Sequence, residues 1–556
     1  MTRSARAYAA RALCLLALAA CAAAGARAQD TSAPAYKIAY TLSMPDPASH
    51  LFVVTVDVET PGRGEPVEFQ MPRWSPGRYA VFDFAKNVQE FGARAGCPPG
   101  AGEDCEQARR PADVPVTRVD TQTWRVPAAV KHLRVGYKVF ADDLSGTFSQ
   151  LDARHANFNG GSVFVYVVGH KQDPVSLKVE APQGWKVING QSKNTEQSEF
   201  GFPNYDLLID TPTEVAPDFN VETFEVNGKT YRVVVHSFGD EGGRRAELAR
   251  QVERVVRAEV SMMPEPDYDR YTFLFHFDPK ARRGDGMEHL NSTQIVETAA
   301  LGDAHALDGA VGTAAHEFFH VWNVKRLRPA GLGPWDFTRP VVTRGLWIAE
   351  GFTNYYGKLA RRRAGLWDDE QLLRAYAGAI GGIESQPGVR LTSAVEASVL
   401  APFIDRASHD QKTNLSNTIV SYYPKGETIA VALDLLIRGR SKGRASLDDV
   451  MRRAYKEFYL KGARDSYYLK GRAYTVEEFE RVASDVAGTD LSDFFRRHVH
   501  GTEPLPYEEA LAYVGLRLTR STATAADAPR TYYRIEKDDR ATPEARALRE
   551  AWLEGK

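Results

Sequence analysis

Between residue 36 and about 225, short apolar runs alternate with polar positions and stop at turn residues, as at 37–40, 51–58, 161–169 and 175–181. Period-two alternation over such windows predicts strands with one buried face. No long amphipathic helix interrupts them, so residues 29–228 are expected to form an antiparallel, sandwich-like β domain with a Pro/Gly-rich insertion at 92–114. From Tyr231 the texture changes: 231–236 and 271–277 predict strands, whereas 244–262 and a segment from about Asp308 carry helical periodicity. Residues 229–365 therefore read as a mixed α/β domain. After Gly351 helices prevail, with Ser446 ahead of a helix at 447–458 and Thr475-x-x-Glu478 as a capping box ahead of 477–486. Residues 366–506 form a helical subdomain, and 507–556 add a short extension with one helix, two short strands and a charged tail. The class is multidomain α+β.

Composition changes this picture only at the N-terminus. The 556 residues are 43% hydrophobic and 26% charged, which suits several ordinary cores. Residues 1–28 carry Arg3, Arg6 and Arg11, an apolar run from Leu13 to Ala24, and Ala26-Arg27-Ala28, the pattern of an export signal. The run is too short to span a bilayer and no later segment qualifies, so no transmembrane span is expected. Leu18-Ala19-Ala20-Cys21 also fits a bacterial lipoprotein signal, which makes Cys21 the alternative lipid anchor of an otherwise periplasmic or secreted protein. Four Arg and no acid lie in residues 1–28, leaving 66 of the 70 basic groups against 72 acidic ones. That balance argues against a nucleic-acid partner. Cys97 and Cys105 bracket a Pro/Gly/acidic loop and are expected to form a local structural disulfide, in preference to a metal site that no nearby His would complete.

The sharp chemistry begins at His316-Glu317-Phe318-Phe319-His320. On a helix, positions i and i+4 lie about 40° apart, so both imidazoles leave one face and can hold a single zinc ion, with Glu317 placed as general base. Zinc needs a third protein ligand and one open position. Glu350, in Leu346-Trp347-Ile348-Ala349-Glu350-Gly351-Phe352-Thr353-Asn354, is the best candidate, on a helical stretch that can return against the first helix. Asn354, one turn on, could hydrogen-bond a ligand from behind.

The run from His316 to Pro329, followed by Trp347-Ile348-Ala349-Glu350-Gly351-Phe352-Thr353, closely resembles the glycyl aminopeptidase family of zinc metallopeptidases, peptidase family 61. Met71-Pro72-Arg73-Trp74-Ser75-Pro76-Gly77-Arg78-Tyr79 resembles that family's β-domain turn, so the likeness covers roughly residues 35–510. It implies a thermolysin-like catalytic domain, one Zn²⁺ per chain on His316, His320 and Glu350, and Glu317 as base. Gly286-Met287-Glu288 resembles the substrate-edge motif of related aminopeptidases, where backbone meets the peptide and the Glu holds its free α-amine. A surface salt bridge or loop cap is the plainer role for Glu288. Tyr423, in Tyr423-Pro424-Lys425-Gly426, matches the relatives' oxyanion donor; Tyr422 competes, and core packing is the plainer role for either. Relatives often add a PDZ domain, but the 50 residues past Pro506 are too few for a complete one.

These residues lead to the expectation of a zinc aminopeptidase acting on peptides with a free N-terminus, Gly or Ala first. A zinc endopeptidase and an inactive zinc-binding periplasmic scaffold are the alternatives.

Overall fold

The computed structural model describes residues 36–60, 65–95, 113–127, 131–405, 414–524 and 529–556. The expected export signal, the alternative lipid anchor Cys21 and the expected Cys97–Cys105 disulfide lie outside the described residues. The N-terminal region is built on a seven-stranded sheet in the order Glu199–Phe202, Val175–Glu180, Lys37–Ser43, Leu51–Glu59, His132–Phe140, Val88–Ala95 and Asp113–Val114. Its long strands bury alternate residues, as in Leu51–Glu59 and His132–Phe140, so one face packs inward. One pair departs from the antiparallel expectation: Lys37–Ser43 runs parallel to Val175–Glu180.

Two four-stranded sheets complete this β region. One holds Lys186–Asn189, Thr213–Ala216, Ala156–Phe158 and Gln150–Leu151; the other holds Tyr166–Val167, Val67–Gln70, Thr123–Val126 and Thr117–Arg118. Residues 161–169, expected to be a strand, instead form a 3-10 turn at Gly160–Ser162 and the two-residue strand Tyr166–Val167. The reason is local. The carbonyls of Val163, Phe164 and Val165 accept from the hydroxyls of Tyr137, Tyr205 and Tyr40 at 2.9, 2.6 and 2.9 Å. Side chains thus satisfy buried backbone acceptors that a ladder would otherwise have to meet.

The next sheet is mixed, in the order Asn220–Val226, Lys229–Ser237, Arg270–Phe277, Ser292–Glu297 and Asp285–Glu288. Its three central strands are parallel and both edges antiparallel. One face of Lys229–Ser237 carries Arg232, Val234 and His236. Arg232 reaches back to the carbonyls of Asn189 and Ser192 at 2.8 and 2.9 Å, so this face meets the first four-stranded sheet. Helices Arg245–Met262 and Ala304–Phe319 accompany the sheet, and the remainder is helical.

Helix Val476–Ala487 follows the capping box of Thr475 with Glu478, and Leu447–Ala454 that of Ser446 with Asp449. The expected charged tail is a helix, Pro543–Glu554, started by Thr542 and Pro543. Its Trp552 is buried against Tyr376 and donates to the Tyr355 hydroxyl at 2.8 Å. No helix of the described residues is long and apolar enough to cross a membrane.

Candidate active site

The helix Ala304–Phe319 starts where the Asp303 carboxylate accepts from the His305 N–H, and it buries an Ala- and Phe-rich stripe that fixes its rotation. Its last turn carries His316 and Glu317, and His320 is the C-cap. Glu350 stands in a π-helical turn, Trp347–Phe352, from which helix Thr353–Arg363 continues. Such turns displace the local register and are frequent at functional positions.

Asn323 joins the two segments. Its side-chain amide donates to the carbonyls of Ile348 and Ala349 and to Thr353 Oγ1 at 2.9, 3.1 and 3.1 Å. Its backbone carbonyl meets His320 Nδ1 at 2.7 Å, which makes that nitrogen the donor and turns Nε2 inward toward Glu350. A third segment closes on them through backbone contact. A Cβ on Gly351 would stand 2.3 Å from Gly426 Cα, so only two glycines let helix Tyr422–Ser441 approach this near.

Three donor atoms converge as a result. His316 Nε2 and His320 Nε2 are 3.1 Å apart, and Glu350 Oε2 lies 3.5 and 3.3 Å from them. Tetrahedral ligands about 2.0–2.1 Å from a zinc ion stand roughly 3.3 Å from one another, so the set fits that ion. The electrostatics agree. Glu288, Glu317 and Glu350 are each at most 6% exposed around the two imidazoles, and such a cluster requires a cation. Burial opposes charge on His320, yet Glu350 and Glu288 outweigh it and push the ring up to about 10. At His316 burial wins and the ring is held neutral. Burial also pushes the Glu317 carboxyl up, whereas Glu350, buried but facing both imidazoles, is held well below the ordinary carboxylate range.

The other expected residues fall around this set. Gly286, Met287 and Glu288 lie on the edge strand Asp285–Glu288, and a Cβ on Gly286 would stand 2.2 Å from Glu317 Oε1. Glu288 offers an oxygen within 4.8 Å of the donor atoms of His320 and Glu350. At 4% exposure it has no hydrogen-bond or ion-pair partner among the described residues. The Tyr423 ring lies over His316 at 29° with centroids 6.3 Å apart, and its hydroxyl meets no partner among the described residues. Tyr422 is fully buried and gives its hydroxyl to Asp405 at 2.7 Å. Asn354 borders the cavity beside His316 and makes no hydrogen bond to a donor residue.

Sequence reasoning assigned no role to two residues that the structure places here. Tyr79 donates its phenol to Glu350 Oε1, the oxygen turned away from the imidazoles. Arg78 grips Asp285 with both contacts at 2.6 Å and donates to Thr147 at 2.7 Å, pinning the edge strand to the β region. Both belong to the run 71–79, so the segment was visible and its targets were not. Two cavities flank the site. Glu288 lines one of about 30 Å³ with Trp74, Tyr79, Leu332, Trp335 and Tyr468; His316 and Glu317 line one of about 430 Å³ with Gly309, Asn354 and Gly357.

Residues 39–217 match the peptidase M61 N-terminal domain, and residues 309–429 match the M61 glycyl aminopeptidase domain. A crystal structure of an aminopeptidase N family protein from Idiomarina loihiensis is similar with a TM-score of 0.76 and 26% identity, covering 88% of this chain and 80% of that one. An M1 zinc metallopeptidase from Deinococcus radiodurans, bound to a Tyr-Ser-Ala substrate, gives a TM-score of 0.48 and 14% identity over 85% of this chain and 95% of that one. No curated protein sequence matches. The fold and the two matched domains define a peptidase. The chain belongs to the M61 glycyl aminopeptidase family.

Proposed function

We propose that the protein is an exported zinc aminopeptidase that removes small residues, Gly or Ala, from peptide N-termini. The observation that carries the exopeptidase reading is Glu288: a buried carboxylate without a partner, beside the donor set, is a charge waiting for an ammonium. The cavity beside it is narrowed by Trp74, Tyr79, Leu332, Trp335 and Tyr468, a bulky wall that supports a small first side chain.

His316, His320 and Glu350 would hold Zn²⁺, which supplies Lewis acidity toward water and the scissile carbonyl. The chain's own groups do the rest. Glu317, raised by burial, takes the proton of the attacking water and returns it to the leaving amine. The Tyr423 phenol donates to the carbonyl oxygen as negative charge develops there. Glu288 binds the α-ammonium and so sets the first peptide bond against the base, while the Arg78–Asp285 grip keeps that strand in place.

The test is hydrolysis of glycyl-, alanyl- and leucyl-arylamides and their N-acetylated forms, with and without a zinc chelator. Chelator-sensitive cleavage of the free Gly and Ala substrates alone is expected. Cleavage of the acetylated forms would move the assignment to an endopeptidase, and faster cleavage of the leucyl substrate would remove the small-residue preference. Glu288→Ala should raise KM for free-amine substrates by about 10- to 100-fold, the loss of one charge-assisted contact; an unchanged KM would strip Glu288 of the anchor role. Export rests on residues 1–28, and the mass of the mature N-terminus distinguishes cleavage after Ala28 from lipidation at Cys21.

A further inference from the structure

A second set of donors lies where the first four-stranded sheet meets the mixed sheet, and it shares no residue with the candidate active site. His155 precedes strand Ala156–Phe158, and Glu214 stands on the neighbouring strand Thr213–Ala216. His236 and His276 are register partners on the parallel strands Lys229–Ser237 and Arg270–Phe277. Each side of the interface thus provides two residues. All four are at most 2% exposed, and one ligand atom from each lies within 4.8 Å of the others. Glu214 is the centre: its Oε1 is 3.0 Å from His155 Nδ1 and 2.5 Å from His236 Nδ1, and its Oε2 is 2.8 Å from His276 Nε2.

The outer nitrogens of two of the rings have oxygens of their own. His155 Nε2 faces Gln150 Oε1 at 2.9 Å, and His236 Nε2 faces Asp218 Oδ1 at 3.3 Å. With each Nε2 carrying its hydrogen toward these oxygens, Nδ1 is the ligating nitrogen of both rings. In that tautomer the Nδ1 lone pairs of both rings turn toward the Glu214 carboxylate, a convergence that a shared cation would satisfy. The outward N–H groups given to a carboxylate and an amide oxygen are the arrangement that ligating histidines require.

We propose that His155, Glu214, His236 and His276 bind a second Zn²⁺, a closed structural ion that clamps the β region to the mixed sheet. Three imidazoles and one carboxylate fill a tetrahedral shell and leave no open position, so this ion has no part in hydrolysis. Between the same two sheets Ile188, Ala216, Phe219, Val234 and Leu274 form a small apolar cluster of their own, and a clamping ion would add to it and to the Arg232 contacts.

The decisive preparation is the full chain carrying His316→Ala and His320→Ala, which removes the first donor set. After exposure to Zn²⁺ and exhaustive dialysis, elemental analysis should find about one zinc per chain in this variant and about two in the unaltered protein. X-ray absorption at the zinc edge of the variant should report three imidazoles and one oxygen. Adding Glu214→Gln and His276→Gln should abolish the remaining zinc. Stripping the ion from the His316→Ala/His320→Ala variant should lower its Tm, since an ion bound only by the folded state stabilises it. A folded His316→Ala/His320→Ala protein with no zinc, or zinc that survives the added changes, overturns the proposal. Neither result bears on the peptidase reading, because the first donor set is absent from these preparations.

Discussion

The set around Glu350 and the set around Glu214 are made of the same chemistry, imidazoles about a buried carboxylate, and they differ in what is left unspent. Around Glu214 every ligating face turns inward and every residue is sealed from solvent. Around Glu350 the His316 side chain keeps 18% exposure toward a cavity, and Glu288, Glu317 and Tyr423 stand by without partners of their own. The difference teaches that burial and charge alone do not mark a catalytic centre. What marks it is a donor set with one open side, faced by groups whose hydrogen-bonding capacity the fold has left unused.

That contrast can be broken from its open side first. Glu317→Gln keeps the shape and removes the base, so hydrolysis should fall by about 10²–10⁴-fold while zinc stays bound; near-normal turnover would end the assignment. Tyr423→Phe should lower kcat by about 10²–10³-fold, as expected when a donor to a developing oxyanion is lost, whereas Tyr422→Phe, whose hydroxyl serves Asp405, should leave turnover within a few-fold. Equal losses in the two variants would show that the pair acts through packing. Tyr79→Phe takes the phenol from the outer oxygen of Glu350 and should weaken zinc affinity by about 10- to 100-fold, read by competition with a chelator. Unchanged affinity would make that contact incidental.

The convergence of His316, His320 and Glu350, with Glu317 beside them, could be read from the chain because its geometry is written in short spacings on two neighbouring helical segments. The alternating strands were legible for the same reason. Tyr79 was not, because it reaches Glu350 across 271 residues and nothing in its own neighbourhood names the target. The parallel pairing of 37–43 with 175–180 and the clustering of His155, Glu214, His236 and His276 are long-range in the same way. Residues 161–169 misled by a different route. Their apolar pattern is that of a buried strand, but three tyrosine hydroxyls from elsewhere take the carbonyls, and no local signal announces them. Asn354 was chosen for its place on the helix face, while the contact to His320 comes from the Asn323 backbone, whose amide also ties the two segments together.

A half-buried carboxylate sharpens the comparison, with the smallest expected effect. Glu297 ends the strand Ser292–Glu297 beside Gly309 of the helix that carries His316, and no imidazole or guanidinium compensates it. Burial alone raises its carboxyl to about 7, where Glu350 and Glu214, which also pay for burial, are drawn below the ordinary range by their imidazoles. The sign follows from linkage. The folded chain holds this proton more tightly than the unfolded chain, so stability falls as pH rises from about 4.5 to about 7, and the full cost persists above that range. Glu297→Gln removes the cost. It should therefore stabilise the protein on the order of 1 kcal/mol at pH 8, a figure discounted for partial solvent contact, and change little at pH 4. Thermal unfolding of both proteins across that range measures it, and an equal gain at both ends would mean that the carboxyl carries no raised pKa. With no cation to meet, Glu297 holds its proton to a higher pH than a free carboxyl, and that is the condition from which the imidazoles release Glu350 and Glu214.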